Sequence, residues 1–325
     1  MASNITSGAL EHMSSFLIEQ RSWLETKWEN YYNWMDNDIL ATGFLLLTVH
    51  ELAYFGRSFP FMILDMIPAM RKYKIQDNRP PTYKQYLECL RSVMLAHVFV
   101  EAVPIFGFHF VCDFFNISYR APFPSLWTMF YQLAIFFLLE DTWHYWGHRL
   151  LHTRYLYKNV HKQHHKYAAP FGLTAEYAHP VEVAFTGVGT VGSPLLVASI
   201  VGEVHLLTVM IWITLRLFQA IDSHSGYEFP FSLHHFFPLW AGSDHHDDHH
   251  HYFVGNFSSS FRHWDYFLGT ETPATTRRRD FKLNPFEKRH EIVEDPDDLA
   301  DKKSAEKATA PAADSTTYAQ TTGSN

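Results

Sequence analysis

Long apolar runs, separated by polar and basic stretches, organise most of this chain. They cover roughly residues 39–56, 92–115, 126–147, 183–201 and 204–221, and each approaches the ~20 residues that an α-helix needs to cross a bilayer. A sixth run, 59–70, is too short to span alone and reads either as the return half of a first hairpin or as an interfacial helix. The pattern predicts an all-α integral membrane helical bundle with about four to five spans.

Charge orients the bundle. Arg71, Lys72, Lys74, Arg79 and Lys84, then Arg149, Arg154, Lys158, Lys162 and Lys166, and later Arg277, Arg278 and Arg279 all fall between or after the runs. The positive-inside rule places these segments in the cytosol. The pair 92–115 and 126–147 returns the chain to the side it left, and the pair 183–201 and 204–221 does so again. Four segments follow: a polar and aromatic stretch over 1–35, a first membrane part over 36–125, a core over 126–271, and a polar tail over 272–325 that is expected to be disordered.

Composition supports one membrane body over the two soluble domains that 325 residues would suggest, because the chain holds 28 Phe, 17 Tyr and 9 Trp. The net charge of -8 gives no nucleic-acid signature, and much of the acid lies beyond Glu271. Cys89 and Cys112 sit in or beside apolar runs without a C-x-x-C spacing and read as packing residues. The first 35 residues do not look like a cleaved signal, so the first span is expected to target the chain.

The chemistry lies in the histidines. Three clusters stand out: His144, His148 and His152; His161, His164 and His165; and His245, His246, His249, His250 and His251. Glu140, His144, His148 and His152 form an i, i+4 stripe on a helix, while His161/164/165 and His246/249/250 have i, i+3, i+4 spacing that aims imidazoles at one small volume. One such motif alone is often a surface or core accident; three in one membrane protein are not. By the charge argument all three lie on one cytosolic face. His144, His245 and His251 are close without a required place, and His12, His50, His97, His109, His205, His234, His235, His263 and His290 are better explained by packing or solvent.

Neutral imidazole suits iron, zinc, copper and nickel, so ligand type alone does not identify the metal. Eight or more histidines without a cysteine ligand favour two open-shell metals with positions left for oxygen rather than a closed zinc site. A membrane face suggests an apolar lipid substrate with unactivated C–H bonds, which calls for a metal–oxygen oxidant. His179 and His224 each lie near carboxylates and become candidate ligands beside the clusters. Glu140, Asp141, Asp222, Glu228, Asp247 and Asp265 are candidate partners for the far ring nitrogens. Phe130, Phe136, Phe137 and Trp212 could line a lipid path, although packing or lipid contact accounts for each of them better.

Extended text resembles the fatty acid hydroxylase and sterol desaturase superfamily, and within it the C-4 methylsterol oxidases. The matching segments are Glu140–His152, His161–His165, Ala169–Gly172, Glu176–Pro180, Asp222–Tyr227 and His245–His250, with Arg71–Gln76 upstream and Gly255, Asn256, Trp264, Asp265 and Phe267–Thr270 downstream. The resemblance covers roughly 40–271. It implies a non-haem di-iron centre held by His148, His152, His161, His164, His165, His246, His249 and His250, with His179 and His224 added by analogy to related hydroxylases. It further implies oxidation of a sterol 4α-methyl group, with electrons from NAD(P)H through cytochrome b5 and its reductase. Downstream sterol demethylation enzymes would be further partners, and the endoplasmic reticulum membrane the residence, although the tail lacks a Lys-Lys-x-x ending. Asp244 and Asp248 depart from the family pattern. Two rivals remain: a related hydroxylase or desaturase acting on another lipid, and a histidine-rich metal transporter, which would require ionisable groups along a path at mid-membrane.

Overall fold

A computed structural model describes residues 2–272 and Thr275, with side chains from Ile18 onward. The remainder of the expected tail lies outside the described residues. The architecture is all-helical: α1 (Ala2–Met35), α2 (Asp38–Asp65), α3 (Tyr83–Ala96), α4 (Ala102–Phe115), α5 (Leu126–Leu151), α6 (Arg154–Asn159), α7 (Pro180–Val201), α8 (Leu206–Ser223), α9 (Gly242–Tyr252) and α10 (His263–Leu268). A π-helical turn, His97–Glu101, joins α3 to α4. Among the described residues, four helices are long and apolar enough to cross a membrane: α2, the continuous α3–α4, α7 and α8. α5 is of similar length, but Glu140, Asp141, His144 and His148 occupy its second half.

Local signals set these boundaries. Asn37 caps α2 by accepting from Leu40 N, Thr82 and Gln85 form a capping box on α3, and Ser125 caps α5 by accepting from Thr128 N. The undecided run 59–70 resolves into the last turns of α2 and a 3₁₀ turn, Pro68–Tyr73. Within α2, the Arg57 guanidinium meets both carboxylate oxygens of Asp222, at 2.7 and 2.8 Å.

α5 lies along α7, and α2 lies along α4 and α8. The α5–α7 approach is close enough that a Cβ on Gly147 would sit 2.8 Å from Phe185, and one on Gly189 would overlap Trp143. One apolar core gathers Leu46, Phe108, Phe136, Val209 and Trp212 between the spans. A second, made by Tyr54, Phe61, Cys89, Phe171, Leu173 and Ile221, joins the spans to the short elements that follow α6. Both cysteines are buried and free, as packing residues should be. The C-terminal ends of α2, α5 and α8 and the start of α7 meet at one end of the bundle: Asp65 contacts Tyr227, and His161 contacts Glu182. That end carries all three histidine clusters.

Candidate metal centre

Nine imidazoles converge in two adjacent sets. His148, His152, His161, His165 and His249 form one; His164, His224, His246 and His250 form the other; within each, the offered ligand atoms lie within 4.8 Å of one another. The second cluster is a 3₁₀ turn, His161–Lys166, so His161 and His165 face the first set while His164 faces the second. α9 divides likewise, with His249 in the first set and His246 and His250 in the second.

Backbone carbonyls orient the rings. The Nδ1 atoms meet carbonyl oxygens in His148 (Phe257 O, 2.9 Å), His164 (Tyr177 O, 3.3 Å), His224 (Ala220 O, 2.8 Å) and His249 (Gly255 O, 2.6 Å). A carbonyl only accepts, so each Nδ1 carries the proton and each Nε2 keeps its lone pair. Yet the Nε2 atoms of His164 and His224 stand 3.1 Å apart, a pair of acceptors with no proton between them. The other Nε2 pairs lie at 2.9–3.3 Å: His148–His161 3.1 Å, His161–His165 3.1 Å, His165–His249 3.1 Å, His152–His249 3.2 Å, His152–His165 3.3 Å and His224–His246 2.9 Å. Two nitrogens held about 2.1 Å from one ion, at about 90–110° to each other, lie roughly 3.0–3.4 Å apart. Converging lone pairs at that separation fit two transition-metal ions.

Burial keeps the donors neutral. It pushes the His164 imidazole down to about 4 and His249 to about 3, and it holds His161, His165, His246 and His250 well below the ordinary histidine range. Neutral imidazole is the form that binds metal.

Supporting groups differ from those expected. Glu182, outside the candidate set, accepts from His161 Nδ1 at 2.8 Å. Asp265 and Asp141 act one step further out. Asp265 accepts from Phe257 N and Ser258 N, and Asp141 from Ser260 N and Phe261 N, which fixes the loop whose Phe257 carbonyl holds His148. Asp222 is engaged by Arg57, Glu228 by His234 and His235, Glu140 by Arg216, and Asp247 by Gln76. Asp248 is buried against Thr272 and Thr275, and Asp244, partly exposed, stands near His234.

His179 stands apart from both sets. Its Nδ1 accepts from Val181 N at 3.2 Å and caps α7, a task set by its place just before Pro180. His50 and His97, read from sequence as packing or solvent-facing residues, join Glu51, Glu101 and Glu176 in a network with contacts of 2.8–3.5 Å. No spacing signal could have shown it, because its members come from three separate elements.

A cavity of about 660 Å³ reaches the centre. Leu46, Phe108, Leu195, Val209 and Ile213 contribute to its apolar wall, and at one side it meets His148, His161, His164, His224 and His246. Phe136 and Trp212 are core residues instead, packed edge to face.

A fatty acid hydroxylase family profile matches residues 133–270. The chain is 56% identical over 262 residues to a methylsterol monooxygenase of Aspergillus fumigatus, which covers 80% of this chain and 88% of that protein. It is 55% identical over 282 residues to the C-4 methylsterol oxidase of Candida albicans, covering 86% and 92%. The chain belongs to the methylsterol monooxygenase family. Methylsterol monooxygenase 1 of Rattus norvegicus is 38% identical, over 81% of this chain and 89% of its own. No solved structure matches. Membership in the methylsterol monooxygenases favours neither the transporter reading nor another lipid as substrate.

Proposed function

We propose that the protein oxidises the 4α-methyl group of a 4-methyl or 4,4-dimethyl sterol through alcohol and aldehyde to carboxylate. The observation that carries this reading is the apolar cavity ending on the histidine centre. Its volume falls within the roughly 300–1,000 Å³ of small-molecule sites, and its wall suits a rigid hydrocarbon presented end-on to the metals. Each of the three oxidations consumes one O₂, two electrons and two protons. The first leaves one oxygen atom on the carbon and the other in water.

In this reading His148, His152, His161, His165 and His249 hold one iron, and His164, His224, His246 and His250 hold the other. Bound iron supplies the oxygen activation that side-chain acids and bases lack. The protein's own contribution is orientation and exclusion: carbonyls and Glu182 fix the ring tautomers, and the apolar wall keeps water from the reacting methyl. Electrons arrive from NAD(P)H through cytochrome b5 and its reductase, and the carboxysterol passes to the enzymes that complete demethylation. The basic segments 71–84 and 149–166 support a cytosolic centre in the endoplasmic reticulum membrane. The catalytic core comprises 126–271, and 36–125 forms the first membrane part.

The test is mass spectrometry of 4,4-dimethylsterol incubated with membranes holding the protein, NADH, a cytochrome b5 system and oxygen. The wild type forms the 4-carboxysterol, and His164→Ala does not. Return of unchanged sterol by an iron-loaded wild type that oxidises its donor overturns the substrate assignment.

A further inference from the structure

Arg216 is buried within α8, a helix apolar enough to cross a membrane. A guanidinium in such a place is costly and is kept for a task. Its Nε lies 2.8 Å from Glu140 Oε1, Nη1 donates to Gln219 Oε1, and Nη2 reaches His144 Nδ1 at 3.4 Å. Arginine carries five N–H donors. Each terminal nitrogen makes one of these hydrogen bonds, which leaves a second N–H on each without a protein partner, while Nε meets Glu140 at ion-pair distance only.

The open donors stand beside the metal centre. Arg216 and His144 both line the cavity, and among the described residues Arg216 is its only lysine or arginine. His144 lies one helical turn before His148, with the two ring centroids 5.2 Å apart. Glu140 offsets the charge of the guanidinium, so a neutral parent sterol can lie beside it, while the two N–H groups remain for oxygen atoms.

We propose that Arg216 binds the oxygenated end of the substrate and holds most tightly the carboxylate formed last. The inference rests on the methylsterol reading. A carbon oxidised three times gains a hydroxyl, then a carbonyl, then an anion, and each must stay beside the metals inside an apolar wall. Arginine is the side chain best matched to both carboxylate oxygens at once. His144 and Glu140 are positioning residues that hold the guanidinium plane toward the cavity.

Two measurements test this on the full-length protein in nanodiscs. Under nitrogen, the wild type binds radiolabelled 4-carboxysterol more tightly than the parent 4,4-dimethylsterol. Arg216→Met loses about 10- to 100-fold of the carboxysterol affinity, the size expected for a charge-assisted contact, while parent affinity stays within about threefold. Glu140→Gln/Arg216→Met removes the orphaned buried carboxylate and gives the same binding pattern in a folded protein. In turnover, both variants release alcohol and aldehyde in place of acid, and Arg216→Lys restores part of the acid. The proposal is overturned if the double variant keeps wild-type carboxysterol affinity and product ratio. A wild type that turns over the parent yet binds both sterols equally overturns it while leaving the substrate reading intact. Binding of neither sterol defeats both.

Discussion

Glu182 offers the sharpest test of how the centre is held. Its Oε1 lies 2.8 Å from His161 Nδ1, both groups are buried, and its Oε2 has no partner. Oε1 therefore serves one ring, which fixes the Nε2 lone pair of His161 toward His148 and His165. Glu182→Gln keeps an acceptor at the same place but replaces the carboxyl group with an amide. Losing a ligand's outer partner costs about 10- to 100-fold in metal affinity, and because the amide still accepts, the expected loss is about tenfold, or ~1.4 kcal/mol. Glu182→Leu also frees the ring to exchange tautomers, which moves the expected loss to about 100-fold. The assay is retained iron per protein after dialysis against chelators of graded strength. Thermal unfolding of the chelated forms separates metal loss from misfolding. Equal retention by wild type and both variants would refute the view that Glu182 sets the His161 ring.

Two further outcomes follow from the same geometry. His179→Ala retains wild-type iron within about twofold and costs only its cap, about 0.5–2 kcal/mol of stability, whereas His224→Ala halves the iron content; metal analysis and thermal melting read both, and halved iron in His179→Ala would restore that residue as a ligand. In the metal-free protein, burial holds His164 at about 4 and His249 at about 3, below the about 6.5 of an unfolded histidine. The unfolded state then binds more protons, so their contribution to stability is complete above about pH 6.5 and is lost as pH falls toward the folded values. The melting midpoint of chelator-treated protein should drop as pH falls from about 6.5 toward 4; a flat or rising midpoint contradicts neutral, buried ligands.

Spacing made the ligand boxes legible, because imidazoles three and four residues apart must share a helical face. The division of labour within them was not: His161 and His164 go to different sets because their segment is a 3₁₀ turn, a distinction the same four letters do not carry. His179 looked like a ligand from its carboxylate neighbours, but its place before Pro180 made it a cap. The carbonyls of Phe257, Tyr177, Ala220 and Gly255 were invisible because every residue type offers one. Arg216 and Glu140 sit 76 positions apart, and only the packing of α5 beside α8 pairs them. The run 59–70 stayed undecided because nothing in its letters shows that α2 carries on to Asp65, where Arg57 inside it meets Asp222 on α8.

The polarity of α9 has a consequence for how the protein is made. Its sequence from Gly242 to Tyr252 includes five histidines and three aspartates, and nearly every residue in it is buried. Besides the three candidate ligands, His245 faces Asp265, His251 and Asp247 meet Gln76, and Asp248 meets Thr275. Such a segment has no apolar face to dock with and little reason to be helical by itself. The ribosome releases it after every candidate span has been made, so the bilayer-embedded helices exist before the last donors arrive. Closing the candidate centre would thus wait for α9, and an ion held there would supply the docking energy that its sequence lacks.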